Sequence, residues 1–100
     1  MSRYLLSDNA QIDLEEIWFY IAADSPTAAD RWTDKLYDAF ALLARNPRIG
    51  HTRKDLIEYD LLFWPVGKYM ILYRVMPDSI EIAAVTQGNH DIPSFLRRHI

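Results

Sequence analysis

The chain divides into two parts with different hydrophobic periods, and this change limits the folds open to it. From Ala10 to Leu43 the apolar residues recur at the spacing of one face of an α-helix. From Ile57 to Val85 they follow the two-residue period of β-strands. Helices followed by strands predict an α+β fold, in which the helices pack on a sheet.

Local signals divide the first part into two helices. Asp8 is predicted to cap the first helix, with Gln11 completing a capping box. Asp13 lies off the apolar stripe and is expected to be solvated. Ser25-Pro26 indicates the start of a second helix, and Asn46-Pro47 indicates its end. Two amphipathic helices joined by a tight turn predict an αα-hairpin.

The strands follow from the alternation and the turn signals. Tyr4-Leu5-Leu6 predicts an N-terminal edge strand, and three further strands are predicted at 57–64, 69–76 and 80–85. Their short connections, Gly67-Lys68 and Pro77-Asp78, predict an antiparallel meander. Residues 91–96 predict a short C-terminal helix. The whole chain, 1–100, is therefore predicted to be one domain with the helical hairpin on one face of a three- to four-stranded antiparallel sheet.

Composition excludes several classes of protein. The chain has no cysteine, so disulfides and thiolate metal sites are excluded, as is usual in a reducing compartment. The N-terminal residues resemble no signal peptide, and no apolar run is long enough to span a membrane. We therefore expect a cytoplasmic protein without membrane contacts. The formal net charge of −3 argues against a dedicated nucleic-acid binder.

Four segments resemble the ParE/RelE toxin superfamily. Residues 13–21 are similar to its first helix, where an acidic-Leu-x-x-Ile pattern ends in Tyr-Ile. Residues 25–29 resemble its interhelical turn, and 43–50 its Leu-x-x-x-Pro-x-x-Gly stop. Most specifically, residues 65–74 are similar to its Pro-Val-Gly-x-Tyr-x-Ile-x-Tyr-Arg hairpin. The resemblance covers nearly the whole chain and is closer to the ParE-like branch.

The resemblance implies the toxin of a type II toxin–antitoxin system, associated with growth inhibition and plasmid stabilisation. A cognate antitoxin would hold it inactive in a hetero-oligomer, expected to be a heterotetramer, and DNA would be contacted only through that antitoxin. ParE-type toxins inhibit DNA gyrase, the expected target here. RelE-type members instead cleave mRNA on the ribosome. A third possibility is an attenuated toxin that retains only antitoxin binding. One fold supports all of these functions, so the fold does not choose between them.

A metal-free ribonuclease needs several cations and an acid or base around one phosphate. The candidates are Arg53, Lys54, Arg74 and His90. The family's ribonucleases tend to carry an arginine before the hairpin, where this chain has 61–64 without a cation. Many ParE-like and RelE-like members also end the last strand with a His-x-x-Arg-Asp pattern, which reads Gln-Gly-Asn-His-Asp here at 87–91. These departures favour action by binding, without intrinsic catalysis.

Other interpretations of the polar residues are structural. Arg74 also fits a cross-strand pair with Glu58, Asp60 or Glu81. The three histidines lack the spacing of helical metal ligands, so no metal or cofactor is expected.

Two surfaces are candidates for partner binding. The sheet face away from the helices is predicted to be too apolar to remain solvated, and an antitoxin segment is expected to cover it. The residues assigned to it are Leu62, Trp64, Met70, Leu72 and Met76. The C-terminal segment joins apolar and basic residues, and the resemblance implies a role in target binding. That segment contains Phe95, Leu96, Arg97 and Arg98.

Overall fold

A computed structural model of the protein describes residues 3–88 and Arg97. In chain order the elements are β1 (Tyr4–Leu6), α1 (Asp8–Ala22), α2 (Pro26–Arg45), α3 (Lys54–Ile57), β2 (Leu62–Val66), β3 (Tyr69–Val75) and β4 (Ile80–Gln87). The hairpin of α1 and α2 packs on one face of the sheet, so the predicted α+β architecture is confirmed. The predicted C-terminal helix, 91–96, lies outside the described residues.

The first long helix is capped one residue earlier than predicted. Ser7 has an extended backbone, and its Oγ accepts a hydrogen bond from the N–H of Ala10 at 3.0 Å. Its hydroxyl also donates to the carbonyl oxygen of Ala83 in β4 at 2.8 Å. The predicted capping box was wrong, since the Gln11 amide donates to the Leu6 carbonyl instead. Serine and aspartate are both good caps, and here the contact with β4 favours the serine.

The limits of α2 are those that the sequence predicts. Ser25 is extended, and its Oγ accepts from the N–H of Ala28 at 3.1 Å, with Pro26 in the first helical turn. At the other end the Asn46 side chain donates to the carbonyl of Leu42 at 3.1 Å. No helix within the described part of the chain is long and apolar enough to cross a membrane.

The four strands form one sheet in the order β1-β4-β3-β2. The pairs β2–β3 and β3–β4 are antiparallel, which confirms the predicted meander. At the edge, β1 runs parallel to β4, with Tyr4 opposite Ile80 and Leu6 opposite Ile82. This parallel pairing was not predicted. The helical hairpin between β1 and the meander is long enough to return the chain to the sheet in either direction, so short-range signals do not set the direction of β1.

The strand predicted over 57–64 begins later than its alternation suggests. Lys54–Ile57 forms the helical turn α3, and Asp60 adopts a positive φ of 59° that reverses the chain before β2. The N–H of Leu61 bonds the carbonyl of Leu56 across this turn at 3.2 Å. The first half of that prediction was therefore wrong, because an alternation over four residues does not distinguish a strand from a compact turn with two buried leucines.

The main core lies between the helical hairpin and the sheet. Its largest buried side chains come from α2 and from alternate positions of β3 and β4: Leu36, Phe40, Leu43, Tyr69, Ile71, Tyr73, Ile80 and Ile82. Gly67 closes the β2–β3 turn with a φ of +58°, and a Cβ there would clash with the Trp32 ring. Asp13, expected to be solvated, is instead buried and bonded to β4, so that expectation was wrong.

Candidate functional site

The outer face of the sheet, opposite the helices, is covered largely by the segment 53–61 of the chain itself. Leu56 and Leu61 are buried there against Met70, Leu72 and two alanines of β4. Met70 is 7% exposed and Leu72 is fully buried. The prediction that these two residues face a partner directly was therefore wrong. Their alternation correctly identified an apolar outer face, but not the segment that covers it.

Leu62 and Trp64 lie on the opposite face from the one predicted. In the β2–β3 ladder, Leu62 is opposite Tyr73 and Trp64 is opposite Ile71, and both pack against the main core under the helices. Phe63 is the β2 residue that packs with the outer cluster. The error has a simple cause, because a two-residue turn at 67–68 sets this register and pairs even positions of β2 with odd positions of β3.

The exposed apolar surface lies elsewhere. Met76, at the end of β3, is 39% exposed and is the one residue of the predicted set that is classed as exposed. Among the described residues, the most exposed aromatic side chains are on α1, where Phe19 is 69% exposed and Tyr20 is 67% exposed. Ile12, about two helical turns earlier on the same face, is also exposed. Sequence reasoning missed this surface, although the spacing 12, 19, 20 marks a second apolar stripe.

The first cation of the predicted nuclease set, Arg53, is bound by its own chain. Its Nε and one terminal nitrogen donate to the two carboxylate oxygens of Asp55, at 3.0 and 2.8 Å. This fork-like geometry is the strong form of an arginine–carboxylate interaction. The guanidinium also lies 5.9 Å from the centre of the Phe63 ring. Arg53 is thus held against the outer face rather than directed at an open pocket.

Arg74 is also bound by its own chain, through one carboxylate oxygen and one backbone carbonyl. One guanidinium nitrogen donates to Oε1 of Glu81, the residue opposite it in β4, at 2.7 Å. A second nitrogen donates to the carbonyl oxygen of Tyr59 at 3.2 Å, which ties the 53–61 segment to the sheet. The structural interpretation of Arg74 as a cross-strand partner is confirmed for Glu81. The ion pair with Glu81 neutralises the charge of Arg74 locally, and both side chains are partly buried.

Of the other predicted nuclease and target-binding residues, only Lys54 and Arg97 lie in the described part of the chain. Lys54 is exposed at the start of α3. His90, Phe95, Leu96 and Arg98 lie outside the described residues, while Arg97 is described as exposed. Within 3–88 and Arg97, no cluster of His, Asp or Glu side chains could hold a metal ion. Among the described nuclease candidates, Arg53 and Arg74 are therefore in ion pairs, Lys54 is exposed, and no one pocket is lined by all three.

The fold and this surface define a small α+β domain with a helical hairpin on a four-stranded sheet, whose exposed aromatic side chains on α1 suit contacts with other macromolecules. Comparison with known families identifies it further. The sequence matches the family of the ParE toxin of the type II toxin–antitoxin system parDE over residues 4–92. The chain belongs to this family of type II toxins, and the predicted resemblance to the ParE/RelE superfamily is confirmed.

Individual relatives come from both branches of the superfamily. The chain is 26% identical over 80 residues to Toxin RelE3 of Caulobacter vibrioides, covering 80% of this chain and 87% of that one. Its fold is similar to a structure of the chromosomal ParDE TA system from P. aeruginosa, with a TM-score of 0.72 at 16% identity. That match covers 87% of this chain and 96% of the other. The toxin–antitoxin complex RelBE2 from Mycobacterium tuberculosis matches with a TM-score of 0.58 at 22% identity, over 86% and 96%. At these identities the two structures show a shared fold.

Proposed function

We propose that a cognate antitoxin neutralises this toxin by direct binding, and that the free toxin inhibits DNA gyrase by binding it rather than by cutting RNA. The observation that carries the choice is the pairing of both described arginines of the nuclease set, Arg53 with Asp55 and Arg74 with Glu81. A ribonuclease without a metal needs cations that are free to stabilise a phosphorane. Here each arginine would first have to leave a carboxylate of its own chain.

Electrostatics supports the same choice. A carboxylate bonded to each arginine would repel an incoming phosphate at close range, where charge–charge interactions are strongest. At longer range, the formal net charge of −3 gives no general attraction for ribosomal RNA. A protein target such as gyrase makes no such demand, because shape and apolar contacts can supply most of the affinity.

We place the main antitoxin contact on the exposed stripe of α1, which Ile12, Phe19 and Tyr20 define. Large aromatic side chains exposed on one helix face are typical of binding surfaces, and they are frequent among the residues that dominate binding energy. The matched structures described as ParDE and RelBE2 are both of toxin–antitoxin systems. The product of the neighbouring gene is the candidate antitoxin. We expect Phe19→Ser with Tyr20→Ser to weaken its binding strongly while the fold is kept.

The C-terminal segment keeps its proposed role in target binding, through Phe95, Leu96, Arg97 and Arg98. Deletion of 95–100 should abolish toxicity and leave antitoxin binding largely intact.

We further propose that the protein acts in the cytoplasm and that the toxin–antitoxin complex is a heterotetramer. Light scattering on the co-purified pair measures that stoichiometry directly, and any other mass would correct it.

The decisive experiment expresses the free toxin in a bacterium and follows two readouts. Gyrase inhibition predicts filamentation with DNA-damage signalling, and loss of supercoiling by purified gyrase in vitro. Arg53→Gln with Arg74→Gln should leave this inhibition unchanged if no catalysis is involved. Cleaved mRNA with arrested translation, abolished by the same substitutions, would overturn the proposal.

A ribonuclease is the second candidate, because the curated relative is named Toxin RelE3 and one matched structure is of RelBE2. In that case target RNA would have to displace Asp55 and Glu81 from their arginines. Primer extension on cellular mRNA detects the resulting cuts. A protein that causes neither effect, yet binds the product of the neighbouring gene, would be the attenuated toxin that retains only antitoxin binding.

A further inference from the structure

A basic cleft lies at the end of the molecule where α2 ends and the β3–β4 turn begins. It has a volume of about 750 Å³, and its polar lining includes Arg3, Arg48 and Asp78. Val75, Met76 and Pro77 form an apolar wall. An adjoining pocket of about 370 Å³ shares Arg3 and adds Arg45 from the last turn of α2. None of these arginines belongs to the nuclease set discussed above.

Among the described residues, none pairs with the arginines of this basic cleft as Asp55 and Glu81 pair with Arg53 and Arg74. Arg3, Arg45 and Arg48 are all exposed, and within the described part of the chain none of them forms a salt bridge. Asp78 is the one acidic residue among those lining the two pockets. A chain with an overall negative charge thus has a locally positive cleft. Arg45 also complements the negative end of the α2 dipole, but this does not account for Arg3 and Arg48.

The backbone around the cleft is fixed before any ligand arrives. The Tyr73 hydroxyl donates to the carbonyl of Pro47 at 2.8 Å and accepts from the N–H of Gly50 at 2.9 Å, so it holds the loop that carries Arg48. The N–H of Ile80 donates to the carbonyl of Arg3 at 3.2 Å, which holds that residue beside β4. A backbone that is already fixed lowers the entropy cost of binding a ligand, because only the arginine side chains remain to be ordered.

We propose that the basic cleft binds an acidic segment of the antitoxin, an inference that rests on the proposed function. Carboxylates of that segment pair with Arg3 and Arg48, and an apolar side chain packs on Val75, Met76 and Pro77. The cleft is large enough for several peptide residues. The apolar wall favours a peptide over nucleic acid, since a phosphate backbone offers no apolar group to pack on Val75, Met76 and Pro77.

The test compares two variants with the same loss of charge. Arg3→Gln with Arg48→Gln removes the two cations of the cleft, whereas Arg31→Gln with Lys35→Gln removes two exposed cations of α2 outside it. Binding to the purified product of the neighbouring gene is measured by calorimetry at low and high salt. We expect the cleft variant to bind at least about tenfold more weakly at low salt, with a smaller salt dependence, and the control to bind as wild type does.

Asp78→Asn provides a gain-of-affinity test that misfolding cannot imitate. Removing the acidic group from the cleft should tighten binding several-fold at low salt, because one repulsion is lost. Circular dichroism of each variant confirms that the fold is kept.

The outcomes separate this inference from the proposed function. If wild-type toxin does not bind the neighbouring gene product, the proposed antitoxin pairing fails. If wild type binds and the cleft variant binds equally well, only the inference about the cleft is overturned. A cleft variant that loses binding to a single-stranded oligonucleotide while antitoxin binding is unchanged would also overturn it, and would identify a phosphate site instead.

Discussion

Oδ2 of Asp13, in the middle of α1, accepts a hydrogen bond from the backbone N–H of Val85 in β4 at 3.0 Å. Among the described strands, β1 pairs with β4 only over 80–82. Beyond that point the edge of β4 is completed by side chains, since the Ser7 hydroxyl donates to the carbonyl of Ala83 and Asp13 accepts from Val85. The helix therefore finishes the hydrogen bonding that a longer β1 would have supplied.

Replacing this carboxylate should destabilise the fold. Asp13→Ala leaves the N–H of Val85 buried without its acceptor, which costs about 1–3 kcal/mol of unfolding free energy. Urea unfolding followed by circular dichroism measures the loss. Glu16→Ala, on the exposed side of the same helix, is the matched control and should change stability by less than about 0.5 kcal/mol. Equal effects of the two substitutions would show that the Asp13 contact contributes little.

The two hydrogen bonds of the Tyr73 hydroxyl should contribute to the stability of the fold. Tyr73→Phe removes the acceptor of the Gly50 N–H and the donor to Pro47, and we expect a loss of about 1–3 kcal/mol in unfolding free energy. Thermal unfolding provides the measurement. Faster amide exchange at Gly50 in the folded variant would show that the loop is released. Wild-type exchange there would contradict the proposed anchoring.

Tyr69→Phe should behave in the opposite way. The Tyr69 hydroxyl is buried, and it has no hydrogen-bond partner among the described atoms. Its removal deletes a desolvated polar group without breaking a bond, so stability should be unchanged or slightly higher. The ring contact with Trp32, 5.4 Å between centroids, is kept. A loss of stability as large as that of Tyr73→Phe would indicate a partner for this hydroxyl.

The buried tyrosines predict a loss of stability in alkali. Desolvation by burial raises the pKa values of Tyr4, Tyr69 and Tyr73 above the ordinary 10.0. Because these pKa values are higher in the folded than in the unfolded chain, their contribution is fully present below pH 10.0, and it is lost as the pH rises through the folded values. Unfolding free energy should be flat near neutrality and fall above pH about 10. The unfolding free energy of the Tyr69→Phe variant should fall less steeply with pH than that of wild type, and an identical slope would contradict this account.

Much of the architecture could be predicted because its signals are local. Ser25-Pro26 and Asn46-Pro47 limit α2 through a side-chain cap, a fixed proline φ and a C-terminal amide contact, all within a few residues. Gly67-Lys68 sets the β2–β3 turn in the same way. The sequence also predicted which residues of β3 share a face, because side chains alternate between the two faces of any strand.

The candidate site was harder to predict because its residues are distant in the sequence. The sequence offered three acidic residues as cross-strand partners of Arg74, and only the register of β3 with β4 selected Glu81 among them. Leu62 and Trp64 were assigned to the wrong face, because the assignment did not apply the register that the two-residue turn at 67–68 imposes between β2 and β3. The basic cleft joins Arg3 and Arg48 only after β1 has paired with β4, so no local motif marks it.

By itself, the sequence determined the two helices, the meander, the absence of thiol chemistry and the resemblance that led to the toxin family. These features depend on period, caps and turns, which act over short separations along the chain. The tertiary structure alone decided the direction of β1, the burial of Asp13, the cover that 53–61 places over the outer face and the neutralisation of Arg53 and Arg74. Each of these requires a polar or apolar group to find its partner across the fold, and burial with satisfied hydrogen bonds, not sequence spacing, selects that partner.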